Sequence, residues 1–495
     1  MKRILSINLI IATVIATVMS SCKKDYLTTG PTNQVAQDDI FKTTTNAWVA
    51  INGIHRSLYI QYNSRQDQGG QSKNMVDMDC LGEDLVFPTT GNGWFVSTLR
   101  WQDHRNENAW TPFFNFQFYY SIIDNANMII ANIDNAVGPD ADKKAIKGQA
   151  LAYRAWSYFQ MIQLYGKRYD KTTANDGLGL SLILEPTTAK VPRSTVAEVY
   201  AIILKDINDA ITNLTSATAR TNASHINVNV AKGIKARVAL AMQDWTTAAQ
   251  MASEARTGFN LMSNAQYLQG FNDYNNPEWM WGSHQVQDQT TYFYSFFAYM
   301  SANFNSTNIR TAPKCINSSL YNKISATDIR KSIWDPTGTN TSFPIPPGGA
   351  RFPYMNRKFL SAGGSGSSIG DVPLMRVAEM YLIEAEAKAR LGQDGPAASV
   401  LYTLAKNRDA SYVLSTNTGQ ALIDEILTQR RVELWGEGFR FYDLKRLNLP
   451  LDRTGANHSA AVSSILSVPA GDKTWEFLIP RTELNSNPAC QQNPL

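Results

Sequence analysis

Apolar positions recur at helical spacing over residues 48–59, 113–133, 142–165 and 194–214, the pattern of helices that bury one face. In the third of these stretches Ala145, Gln149, Ala152, Trp156, Phe159 and Leu164 keep to one side, and small alanines alternating with rings suit helices packed closely together. The fourth opens after Pro192 with Ser194 or Thr195 as N-cap and Glu198 placed to complete a capping box. Two further pairs, 230–242 with 246–257 and 373–391 with 395–408, are separated by the short loops Gln243-Asp244-Trp245 and Gly392-Gln393-Asp394. Alanine-rich amphipathic helices joined so tightly predict antiparallel hairpins that stack, in the manner of tetratricopeptide repeats, although the strict repeat consensus is absent.

Between the hairpins the texture changes. Residues 63–112 and 259–371 are rich in Asn, Ser, Thr, Pro and aromatic side chains, with a tight turn at Gly91-Asn92-Gly93 and a Gly/Ser run over 362–370. The fold class expected is therefore mainly α: helical hairpins over about 40–258 and 372–447 support a loop-rich, irregular region with few short strands, and 448–495 close the chain. Loops this long in a compact helical protein are where function is found.

The chain begins Met-Lys-Arg, continues with an apolar stretch to Met19, and reaches Ser20-Ser21-Cys22. This reads as a secretory lipoprotein signal over 1–21, with Cys22 the lipidated residue, because the apolar run falls short of the roughly 20 residues that cross a bilayer. Acyl chains contributing about 0.8 kcal/mol per buried methylene would hold the mature protein on a membrane. Loss of Lys2 and Arg3 with the leader lowers the formal charge from +4 by two to +2, and no Lys/Arg cluster offers a nucleic-acid surface. Lipidation of Cys22 leaves Cys80, Cys315 and Cys490, an odd and widely spaced set that allows one bridge and one thiol but no CxxC metal site.

Several stretches, in order along the mature chain, resemble the RagB/SusD family. They run from Cys22-Lys23-Lys24-Asp25-Tyr26-Leu27 and Ile51-Asn52-Gly53-Ile54, through Gly148 to Gly166 and Pro192 to Asp206, to Arg376-Val377-Ala378-Glu379 continuing to Ala387. The last is similar to the family's RxAExxLxxAEA helix. Arg430 to Arg446 is similar to its RRxELxxEGxRxxDLxR segment, and Phe477-Leu478-Ile479-Pro480 with Asn487-Pro488 and Gln492-Asn493-Pro494 to its closing signature. The resemblance implies a tetratricopeptide-like superhelix with an irregular binding region, a place on the outer membrane facing outward, no catalysis, and a partner: a SusC-like TonB-dependent transporter over which the lipoprotein closes as a lid. Capture of an oligosaccharide is the activity expected, with peptide capture of the RagB kind as the alternative and a surface-anchored glycoside hydrolase the remote one.

Arg430, Arg431, Glu433, Glu437, Arg440, Asp443 and Arg446 are read as structural, with Glu433, Glu437 and Arg440 at spacings that give pairs within one helix, as are Glu386 and Arg390. Gly366-Ser367-Ser368-Ile369-Gly370 matches GxSxG without the preceding apolar strand that a nucleophile elbow needs. The five histidines show no paired-ligand spacing. Asp77, Asp79, Glu83 and Asp84 could supply hard oxygens to a structural calcium, but Leu81 breaks the EF-hand pattern and a solvated loop is the plainer reading. No other cofactor is expected. Rings stack on the C–H faces of sugars while Asp, Asn, Gln and Arg bond their hydroxyls. Ligand-binding residues are therefore expected at Trp94, Arg100, Trp101, Gln102 and Asp84 in the first loop and at Trp281, Tyr292 and Tyr294 in the second.

Overall fold

A computed structural model describes residues 37–289 and 292–495. The signal stretch and Cys22 lie outside them. The helices used below are α1 (Thr44–Ser57), α2 (Gln71–Cys80), α3 (Trp110–Asn132), α4 (Asp140–Tyr165), α5 (Val196–Thr215), α6 (Val228–Ala241), α7 (Trp245–Ala255), α8 (Val377–Arg390), α9 (Asp394–Arg408), α10 (Gly419–Glu433) and α11 (Arg440–Arg446). From α3 to α9 each helix packs on the next, and α10 packs on α8, so the hairpins stack as one series. The mainly helical fold expected from the periodicity is the one observed.

Local chemistry sets the helix ends. Thr195 caps α5 by accepting from the Glu198 N–H while Glu198 reaches back, the reciprocal box its sequence predicts. At the other end of α4, Lys445 is buried and its ammonium donates to the carbonyls of Gln163 (2.7 Å), Gly166 (2.8 Å) and Trp475 (2.8 Å). A cation there satisfies orphan carbonyls and meets the negative end of the helix dipole. Arg154 of α4 grips Asp206 of α5 through both ends of its fork, at 2.7 and 2.8 Å. The short helix α2, which lacks clear periodicity and falls inside the loop-rich stretch 63–112, is buried along its whole length.

Six short strands carry the irregular region: β1 (Leu85–Val86), β2 (Trp279–Ser283), β3 (Cys315–Ile316), β4 (Trp334–Asp335), β5 (Met355–Asn356) and β6 (Val372–Arg376). β1, β3, β5 and β4 form a four-stranded sheet in that order, and β2 pairs antiparallel with β6, with Ser283 opposite Val372. An aromatic core of its own lies beneath, including Phe95, Phe296, Phe297, Tyr299, Phe359, Trp334 and Trp435. Cys80, Cys315 and Cys490 are buried free thiols, so the bridge left open by the sequence does not form.

Charged side chains join the two regions. Arg376 lies where β6 enters α8, fully buried, bonded to Glu278 beside β2, to Glu433 at the end of α10 (2.9 Å) and to Glu437 (2.6 Å). Arg408 bonds Glu278 (2.7 Å) and Glu433 (3.0 Å), Arg330 bonds Glu433 (3.2 Å) and Asp328 (2.6 Å), and Lys358 bonds Glu437 (2.7 Å). The expectation of pairs within one helix is thereby corrected: α10 stops at Glu433, which frees Glu437 from helical spacing, and its partners come from distant parts of the chain. Glu386 and Arg390 do form their i,i+4 pair, at 2.9 Å.

The acidic group in the first loop is buried rather than solvated. Asp77 pairs with Lys73 at 2.9 Å, and Glu83 and Asp84 take Arg440 and Arg431, both at 2.5 Å. Asp79 accepts the Gly438 N–H at 2.8 Å. Gly438 has φ +84 and touches the backbone of Met75, so a side chain fits there neither sterically nor conformationally. Burial pushes the Asp79 carboxyl up to about 8 against the pull of that N–H, so it is held as the neutral acid.

Two outcomes follow. Arg376→Met takes one cation from the buried cluster and leaves Glu278, Glu433, Glu437 and Asp328, with Arg408, Arg330 and Lys358 still beside them, one negative charge in excess; it is expected to cost about 3–5 kcal/mol, read by denaturant unfolding of the full chain in detergent. For Asp79 the folded state holds a proton that the unfolded state gives up near 3.8, so its contribution is complete below that pH and is lost as pH rises towards about 8. Asp79→Asn is expected to flatten the fall in melting temperature across that window relative to the parent.

Candidate functional site

The first loop leaves β1 and turns at Gly91 and Gly93, both left-handed. Trp94 follows, half-buried, its ring edge-on to Tyr299 at 6.0 Å. Phe95 and Trp101 then take left-handed backbone themselves, with φ of 63° and 57°. Bulky residues adopt that conformation only where the surroundings over-determine it. Both rings are driven inward by it: Phe95 packs on Tyr299 at 5.1 Å, and Trp101 lies edge-on to Trp475 at 4.8 Å while its indole N–H donates to the Leu81 carbonyl at 3.2 Å. Trp101, 6% exposed, is an anchor, and it has no face to offer a ligand. Arg100 is likewise committed, to the carbonyls of Val462 (2.9 Å) and Ala461 (3.2 Å). Gln102 is exposed beside them.

Asp84 is corrected too. Burial alone would raise its pKa, but Arg431 and Arg440 outweigh that and hold the carboxyl below the ordinary range as an ion-pair partner. Asp77, Asp79 and Glu83 likewise hold protein partners, and no group of three or more His, Cys, Asp or Glu side chains that could hold a metal ion is found among the described residues.

In the second loop Trp281 of β2 is fully buried, edge-on to Trp156 (5.5 Å) and Tyr153 (5.8 Å), with its N–H donated to the Ser224 carbonyl. It anchors the ribbon to the helices and cannot contact a ligand. Tyr292, by contrast, is 46% exposed, with Phe293 (4.5 Å) and Phe304 (5.3 Å) packed against it. Tyr294 is half-buried, and its carbonyl crowds Gly69 so closely that no β-carbon fits there. The serine of the GxSxG match, Ser368, is fully buried and donates to the Tyr292 carbonyl at 2.7 Å. It holds this loop and is not placed to attack a substrate.

Of the eight expected ligand contacts, then, Trp94, Tyr292 and Tyr294 keep accessible ring surface. Trp94 and Phe293 pack on the same aromatic core, and Gly69, in the loop before α2, lies against the Tyr294 carbonyl and the Tyr299 hydroxyl, so the segments that carry the three rings are anchored on one core. That preceding loop, with Arg65 gripping Asp67 at 3.0 and 3.1 Å, supplies polar groups that the sequence reading passed over. The signal was Gly69-Gly70, which marks a close backbone approach.

Comparison with known proteins agrees with this architecture. Residues 242–495 match the model of the SusD family, and residues 66–240 match one described as starch-binding associating with outer membrane. A SusD-like protein P38 of Formosa agariphila is 23% identical, with 96% of each chain covered. A SusD-like carbohydrate-binding protein of Bacteroides vulgatus superposes with a TM-score of 0.79 at 25% identity, covering 90% of this chain and 97% of that one. A laminarin-binding SusD-like protein superposes with a TM-score of 0.69 at 19% identity, covering 92% and 99%. With one family model spanning the C-terminal half and the fold shared over 90% of the chain, this chain belongs to the SusD/RagB family.

Proposed function

We propose that the protein captures an oligosaccharide on the face formed by Trp94, Tyr292 and Tyr294 and delivers it to a SusC-like TonB-dependent transporter, held at the outer membrane by a lipid on Cys22. The observation that carries the glycan reading is the separation of aromatic roles in the two loops: Trp101 and Trp281 lock the loops down, while Trp94 and Tyr292 keep ring surface in solvent. Exposed rings on a rigid base present stacking area at little entropic cost. The description of the matched family as starch-binding, the laminarin-binding structural neighbour and the carbohydrate-binding relative from Bacteroides vulgatus support the same ligand class. Its outer-membrane association supports the location, and no described helix is long and apolar enough to cross a membrane.

Binding without turnover is the chemistry proposed. In the first loop Asp77 is paired with a lysine, Glu83 and Asp84 with arginines, and Asp79 is held neutral; Ser368 is buried. Calorimetric titration of the full chain in detergent against plant, algal and host oligosaccharides is expected to give saturable binding, weakened at least about tenfold, or 1.4 kcal/mol, by Trp94→Ala and by Tyr292→Ala. Binding confined to a mixed peptide pool would replace the glycan with a peptide and leave the transporter partnership standing. Release of smaller sugars from any bound glycan would instead make this a hydrolase.

A further inference from the structure

Trp110, at the first turn of α3, is 46% exposed. The chain has 11 tryptophans, and among the described residues it alone is exposed, the others being buried or half-buried. A ring kept for packing would be buried, as Trp156 and Trp281 are. Trp110 is nonetheless held in place. The Arg65 guanidinium covers its ring at 5.0 Å, Phe113 lies edge-on at 5.7 Å, and Arg65 is itself fixed by the two-point grip of Asp67.

The loop that carries Arg65 also reaches the face already described. Tyr299, whose ring meets Trp94, donates its hydroxyl to the Gln66 carbonyl at 2.7 Å. Trp110 meets this segment at Arg65, and Trp94 reaches it through Tyr299 at Gln66, so both rings are tied to one short stretch, 65–67. That loop is strained into position: Asn63 and Ser64 are consecutive non-glycine residues in left-handed backbone, φ 52° and 53°. The Asn63 amide pins the turn by donating to Gln68 (2.9 Å) and to Gln117 of α3 (3.0 Å). Consecutive left-handed residues are costly, and here they are held by dedicated hydrogen bonds immediately before the Arg65 that covers Trp110.

We infer that Trp110, with the Arg65–Asp67 fork beside it, is a second aromatic platform, so that the loop face takes an extended glycan chain lying across residues 65–67 and not a single sugar or disaccharide. This rests on the glycan reading above and assigns that reading a length. Trp110 supplies the stacking surface, and the Arg65 and Asp67 heads supply a donor and an acceptor for hydroxyls of the distal sugar. Because both heads are already paired with each other, an uncharged sugar suits the fork better than an anionic one.

The test is titration of the full chain in detergent with ladders of starch, laminarin, xylan and chondroitin oligosaccharides, from disaccharide to octasaccharide. Trp110→Ala is expected to weaken the octasaccharide of the bound ladder about tenfold and to leave the disaccharide unchanged. Trp110→Phe should recover most of the loss, and the melting temperature should not move, since the ring is exposed. Loss of affinity that is equal at every length, or no loss at any length, overturns the second platform while leaving the glycan reading intact. Absence of binding to every ladder by the parent protein overturns both.

Discussion

Burying charge is tolerable only when each charge meets its opposite, and that constraint organises this protein. Arg330, Arg376, Arg408 and Lys358 face Asp328, Glu278, Glu433 and Glu437 in an interior closed to water. Replacing such a set with apolar side chains can be neutral for stability, so its worth lies in specificity. Each charge accepts one arrangement of its neighbours, and the neighbours belong to different regions: Arg408 and Glu433 to the helices, Glu278, Arg330 and Lys358 to the irregular region, and Arg376 to the junction of β6 with α8. The network fixes how one sits on the other.

That fixity is what an aromatic binding face needs. A ring offers stacking area only if it is not free to collapse onto the nearest apolar surface. Trp94 and Tyr292 stay accessible because the residues around them have been committed inward, by left-handed backbone at Phe95 and Trp101 and by the Ser368 hydroxyl at the Tyr292 carbonyl. The proposed face belongs to loops in sequence and rests on a packed aromatic core in structure.

The helices were legible in the sequence because burial of one face imposes a period, and the capping box at Thr195 and Glu198 could be read letter by letter. The site was legible only in outline. Trp94 and Trp101 are the same residue type seven positions apart in one aperiodic loop, yet one faces solvent and the other the core; the difference lies in left-handed turns at residues that seldom adopt them. Asp84 read as a loop carboxylate because its partner Arg431 is 347 residues away. Glu433 and Glu437 read as helix neighbours because the spacing permits it, and the end of α10 at Glu433 leaves no trace in a pattern of charges. Local rules see periods and caps; they do not see partners brought from a distance.

The β2–β6 ribbon has a further consequence. The chain departs from the helical stack after Ser283 and comes back at Val372, directly opposite on the paired strand. The long excursion between them thus starts and finishes at a single doorway, with its closure entropy met by the ribbon and the buried tryptophans beneath it. Such a segment is an exchangeable cartridge: a different excursion of different length can be seated in the same frame, provided it returns to the doorway and brings cations to the two acids, Glu433 and Glu437, that wait for Arg330 and Lys358. One helical chassis can in this way carry different recognition surfaces on the same two acids.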